Sequence, residues 1–123
     1  MSSISALPER PAPLVDELTQ YREQLTQQWR SQVDEITRLS IAALDAQDRE
    51  GHSGSGTEAQ QVATRLLAAA RHQAEETEAA LRRLDDGSFG RCGQCSEPIP
   101  AARLEVLPAA RYCVPCQSRR RRV

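Results

Sequence analysis

The chain contains no lysine, almost no aromatic residues, no long apolar run and no cysteine before its last third. Each shortage excludes something. With 3% aromatics and 27% charged residues in 123 positions, the sequence holds one domain's worth of chain at most and cannot bury a large globular core, which favours elongated helices held by a staple. No apolar stretch approaches the length of a bilayer span, so no membrane association is expected. The opening MSSISALPERPAP lacks a basic region leading into an apolar one and therefore does not read as a signal peptide. The expectation is a cytoplasmic protein in a reducing compartment, which argues against disulfides.

What is present begins with the four cysteines, Cys92, Cys95, Cys113 and Cys116, arranged as two CxxC pairs with seventeen residues between them. A CxxC turn brings two sulfurs to one side of the backbone, and two such turns supply the four soft thiolates that tetrahedral Zn²⁺ prefers, with no position left for a substrate water. One structural zinc ion is the reading, and a closed site of this kind argues against an enzyme. A thioredoxin-like redox pair would need a βαβ setting that the sequence does not offer. His52 and His72 lie too far upstream to be obvious ligands and read as solvated helix or loop residues.

The net charge of −1 conceals an asymmetry. Residues 1–91 carry ten arginines against fifteen acids, giving −5, while residues 92–123 carry six arginines against two glutamates, giving +4. Four thiolates with Zn²⁺ add −2 to the second segment, leaving the run Arg119 to Arg122 as its main basic feature. A chain split in this way is suited to a large, charged partner.

Pro8, Pro11 and Pro13 predict a disordered tail over 1–13. From Leu14 the apolar positions Leu18, Tyr21, Leu25, Trp29, Val33, Ile36 and Leu44 recur every three or four residues, with Ser40 the one small polar member of the stripe. The spacing predicts a long helix ending near Gly51. After the connection GHSGSG, Thr57 with Gln60, or Ser55 with Glu58, offers a capping box for a second helix over about 58–86. Its stripe is Val62, Ala63, Leu66, Ala70, Ala74, Thr77, Leu81 and Leu84. Two helices of about thirty residues each span ~45 Å at 1.5 Å per residue, and a short link between them predicts an antiparallel coiled-coil hairpin over 14–86 with its tip at about 45–57.

Gly87 and Gly90 end the second helix, and Phe89, the single phenylalanine, is placed with Leu84 to pack the hairpin base against a zinc module over 87–118. Between the cysteine pairs a short helix is expected between Pro100 and Pro108. The residues after Cys116 are too few for another substantial element, and 119–123 reads as a basic tail.

The segment ALRRLDDGSFGRCGQCSEPIPAARLEVLPAARYCVPCQ, residues 80–117, resembles the zinc-finger region of the DksA/TraR family of bacterial RNA polymerase-binding regulators. The resemblance rests on Gly87, Phe89 and Gly90, both CxxC pairs, Pro98 and Ile99, the triplet Arg103-Leu104-Glu105, and Pro108. It implies a transcription regulator that binds RNA polymerase directly and inserts the hairpin tip into the secondary channel, placing acidic residues near the catalytic centre without reading promoter sequence. The family's tip pattern Asp-x-x-Asp-x-Ala falls on Asp45 to Glu50: Asp45 and Asp48 match, and Glu50 replaces the alanine. The GHSGSG link makes this tip longer than the usual one, and some members continue into a further helix where QSRRRRV stands here. Some members also bind ppGpp through basic residues whose positions correspond to Ala69, Glu76, Leu107 and Gln117, none of which is basic, so no ppGpp binding is expected.

Other readings compete with this one. Paired CxxC motifs seventeen residues apart also occur in GATA-type DNA-binding fingers, and Arg119 to Arg122 are able to contact phosphates. Base readout requires side chains offered to a groove, however, and between the pairs only Arg103 and Arg111 are basic. Acidic tips of Gre-type secondary-channel proteins hold Mg²⁺ to assist transcript cleavage, a role in which Asp45, Asp48 and Glu50 are not expected to serve. A purely structural coiled-coil adaptor is the third alternative, with a monomer the expectation of the hairpin.

Overall fold

The computed structural model describes residues 15–49 and 58–121 of the chain. They form four helices in the order α1 (Val15–Arg49), α2 (Glu58–Asp86), α3 (Ala101–Val106) and α4 (Val114–Arg121), and one isolated antiparallel bridge between Arg91 and Pro98. The expected tail over 1–13, both candidate capping boxes at Ser55 and Thr57, the GHSGSG link and Glu50 lie outside the described residues. So do Arg122 and Val123.

The two long helices pack as an antiparallel hairpin, and two side-chain contacts mark its register. Arg22 Nη2 meets Asp85 Oδ1 at 2.8 Å, and Trp29 Nε1 donates to Glu78 Oε2 at 2.8 Å. Seven residues forward on α1 (22 to 29) correspond to seven back on α2 (85 to 78), one heptad in each direction. The Arg22–Asp85 pair is exposed on both sides and contributes little to stability, so its value here is as a marker of register.

The chain divides into two compact units. One comprises the described parts of Met1–Thr26 and Ala79–Val123, and the other is Gln27–Glu78. The core of the first is Leu25, Ala80, Phe89, Cys92, Ile99, Leu104 and Cys116, with Leu18, Tyr21, Leu81, Leu84, Ala109, Ala110, Tyr112 and Cys113 packed around it. Leu25 and Leu104, at 0% and 1% exposure, are the largest apolar side chains fully enclosed there.

In the second unit the covered positions include Trp29, Val33, Ile36, Ser40, Ala63, Ala70, Ala74 and Thr77 of the expected stripe, and the seam departs from that stripe at Leu44, Val62 and Leu66. On α1 it runs through Trp29, Gln32, Ile36, Leu39 and Ala43, and on α2 through Gln60, Ala63, Leu67, Ala70, Ala74 and Thr77, all half-buried or buried. Leu44, Val62 and Leu66, placed on the stripes by their apolar character, are instead 62%, 49% and 51% exposed. A hairpin seam follows spacings of three and four in alternation, and counting back from Leu81 that register selects Leu67 and Ala63 over Leu66 and Val62. Apolar identity alone chose the wrong neighbours. The seam is also partly polar: Thr77 is 1% exposed and donates to Gln73 O at 3.1 Å, while Gln32 Oε1 is buried with no partner among the described residues.

Candidate metal centre

Helix α2 hands the chain to the cysteine module through a tight reversal. Gly87 has φ +85° and Gly90 φ +88°, both in the left-handed region where a Cβ is strained. Ser88 N donates to Arg83 O at 3.0 Å, closing the six-to-one bond of a Schellman motif with Gly87 just past the helix end. Asp86 Oδ1 accepts from Ser88 Oγ at 2.6 Å and from Ser88 N at 3.0 Å, and these two bonds hold the Asp86 carboxyl below the usual carboxylate range, with Arg83 adding to the effect. The turn delivers Phe89, 5% exposed, against Tyr21 at 5.2 Å between ring centroids and 45° between planes. Leu84 packs against the same cluster.

The first cysteine pair sits in a knuckle closed by its own backbone. Cys92 N donates to Glu97 O at 2.8 Å, Ser96 N to Cys92 O at 2.9 Å and Gln94 N to Cys92 Sγ at 3.4 Å, with Ser96 at φ +66°. Gly93 N donates to Arg111 O at 2.8 Å and so ties this knuckle to the segment entering the second pair. That segment is held from two other directions. Arg103 Nε donates to Tyr112 O at 3.1 Å, and Arg83 Nη2 reaches Ala109 O and Ala110 O at 3.4 and 3.3 Å. Between the pairs, Pro100 stands at the N-cap of α3, its carbonyl accepting from Leu104 N at 3.2 Å, and the helix buries Leu104.

These restraints bring the four sulfurs of Cys92, Cys95, Cys113 and Cys116 within 4.8 Å of one another, with Cys95 Sγ and Cys113 Sγ 3.8 Å apart. A tetrahedron with Zn–S bonds of about 2.3 Å has sulfur–sulfur edges of about 3.8 Å. The donor set and its spacing therefore fit zinc. The ligands differ in exposure: Cys92 and Cys116 are 3% and 1% exposed, Cys113 is half-buried and Cys95 faces solvent.

Their acidities differ as well. Burial works to raise the Cys92 thiol, but backbone N–H donors from Cys113, Cys95 and Gln94 outweigh it and bring the value down to about 6. Burial pushes Cys116 up to about 12, the crowding of the three neighbouring sulfurs adds to this, and Arg119 opposes it. A thiolate forms readily at Cys92 while Cys95 and Cys116 resist, a conflict that a bound dication removes by stabilising the thiolate form.

The module corrects one sequence-based expectation. The residues after Cys116 do form an element: α4 runs Val114–Arg121, contains Cys116, and opens with Gln117 N donating to Cys113 O at 2.9 Å. Pro115 falls in its first turn, where a missing N–H costs nothing. Residues 119–121 are thus the last turn of a helix rather than a free tail. Arg119 Nη2 donates to Cys116 Sγ at 3.2 Å, and the Arg120 guanidinium lies 4.4 Å from the centroid of the Tyr112 ring. Sequence reasoning missed both roles, although an arginine three residues after a helical cysteine, one turn along the same face, is a legible signal.

Of the acidic residues of the expected tip, Asp45 and Asp48 belong to the other unit. Asp45 is exposed on α1, and Asp48 lies within the same helix. The Asp48 side chain falls outside the described residues, as does all of Glu50.

Fold and site together define a helical hairpin closed by a four-cysteine zinc finger that holds one structural zinc ion. A family model described as the prokaryotic dksA/traR C4-type zinc finger matches residues 87–122. The RNA polymerase-binding transcription factor DksA of Caulobacter vibrioides is 30% identical over 112 residues, which cover 87% of this chain and 78% of that protein. The chain belongs to the DksA/TraR family. The DksA of Haemophilus influenzae is 41% identical over 44 residues, 36% of this chain and 30% of that one. The solved structure of transcription factor DksA2 from Pseudomonas aeruginosa superposes with a TM-score of 0.74 at 25% identity, covering 88% of this chain and 85% of that one.

Proposed function

We propose that this protein is a transcription regulator that binds RNA polymerase directly, enters the secondary channel with the segment joining α1 to α2, and modulates initiation without reading DNA sequence. The observation that carries the reading is the extent of the likeness: 112 residues aligned with a polymerase-binding DksA, hairpin and zinc finger included. Asp45, Asp48 and Glu50 are the residues assigned to act near the catalytic centre. Asp45 is exposed near the C-terminal end of α1, where the helix dipole disfavours an anion by a few tenths to ~1 kcal/mol, a local cost that a functional role explains.

The competing DNA-finger reading is weakened by the arginines themselves. Arg119 and Arg120 are engaged on Cys116 and Tyr112, so the run offers less free charge than its sequence suggests. An enzymatic role is not favoured, since a four-sulfur zinc site keeps no open position. The absence of basic residues at Ala69, Glu76, Leu107 and Gln117 supports a regulator indifferent to ppGpp. A cytoplasmic monomer completes the proposal.

The test is the lifetime of promoter complexes formed by purified RNA polymerase. The native chain changes that lifetime, whereas Asp45→Ala/Asp48→Ala does not. An unaltered effect of the double variant overturns the assignment of the acidic residues. Stimulated transcript cleavage by the native chain contradicts the non-enzymatic reading.

A further inference from the structure

The terminal arginines raise a question that neither the metal ligands nor the polymerase reading answers. A zinc ion with four thiolates carries a net charge of −2, and here two of the sulfurs are almost wholly removed from solvent. Burying that charge without compensation is costly. Of the two enclosed ligands, Cys92 receives backbone help, with Gln94 N–H directed at its sulfur at 3.4 Å. Cys116 is different: its sulfur receives the guanidinium of Arg119, at 3.2 Å, from one turn further along α4.

We propose that Arg119 is an outer-sphere positioning residue of the zinc site, holding the Cys116 thiolate by a charge-assisted N–H···S bond and offsetting the charge of the metal centre. The geometry suits the role. Cys116 stands in the first turn of α4 and Arg119 three residues later, so the helix itself sets the approach of the guanidinium to the sulfur. Arg120 supports the same end of the module differently, with its guanidinium over the ring of Tyr112, the residue preceding the ligand Cys113. Tyr112 is held in turn through its carbonyl by Arg103. Arg121 is exposed on the same turn and has no such contact among the described residues, which makes it the internal control.

Outer-sphere partners of metal ligands typically contribute 10–100-fold to metal affinity. The experiment is competition for zinc between the full-length protein and a chromophoric chelator, read as affinity and as release rate, for the native chain, Arg119→Ala, Arg119→Lys and Arg121→Ala. Arg119→Ala is expected to lose zinc at least about tenfold more readily than Arg121→Ala, and Arg119→Lys to fall between them, because an ammonium keeps the charge but not the planar fork. Equal retention by Arg119→Ala and Arg121→Ala, within about twofold, overturns the proposal. Should Arg119→Ala fail to accumulate as folded protein, Arg119→Lys decides: weaker retention than Arg121→Ala sustains the role, and equal retention refutes it.

Discussion

The two units of this chain are built on different principles. The zinc-bearing unit encloses seven core residues and gathers eight more around them, with two of its four metal ligands inside the apolar cluster. In the Gln27–Glu78 unit the fully buried positions among the described residues are Ala74 and Thr77, and the seam includes Gln32 and Gln60. Larger apolar side chains there, Ile41, Leu44, Val62 and Leu66, remain about half exposed or more. Order is concentrated where the metal is, and the unit carrying Asp45 is held by a thin, small-residue seam. Elements that act on a partner are commonly drawn from the less stable part of a fold.

Removing the metal tests this contrast most severely. Structural zinc contributes roughly 10–16 kcal/mol of apparent binding free energy in small modules, so chelation is expected to abolish hydrogen-exchange protection throughout residues 79–121. Residues 27–78 should lose less. Equal loss in both segments would break the division into two units. Acid should act as the chelator does, since protons compete with zinc for thiolates.

A smaller effect separates the units by truncation. Leu25→Ala, at a site with 0% exposure, is expected to destabilise by about 2–5 kcal/mol in denaturant unfolding. Leu44→Ala, at a site 62% exposed, should change stability by no more than about 0.5 kcal/mol. A large effect at Leu44 would show a covered face that the seam does not explain.

The smallest effect concerns pH. Because the Asp86 carboxyl is held below its ordinary value by Ser88, its contribution is present above that ordinary value and lost as pH falls through the lowered one. Asp86→Asn should therefore differ slightly from the native chain at neutral pH and converge with it in acid. A gap that widens on acidification would contradict the sign.

Much of this organisation is legible in the residues. Cys92, Cys95, Cys113 and Cys116 announce their site by spacing, and the breaker Gly87 marks the end of α2, which closes at Asp86. What is not legible follows from geometry that identity does not encode. Leu66 and Leu67 are chemically the same, and only the register of two helices decides which is covered. The arginine run looks like a free tail because composition records charge and not direction. Once Pro115 and Cys116 begin a helix, Arg119 and Arg120 are aimed at a sulfur and a ring.

The central claim, the proposal that this chain binds RNA polymerase directly and acts on it through Asp45 and Asp48, is tested most directly by co-purification with core RNA polymerase. The native chain and Asp45→Ala/Asp48→Ala should be retained equally, since the proposal assigns these two carboxylates to the effect on initiation and not to docking. Failure of the native, zinc-loaded chain to bind the polymerase would contradict the account.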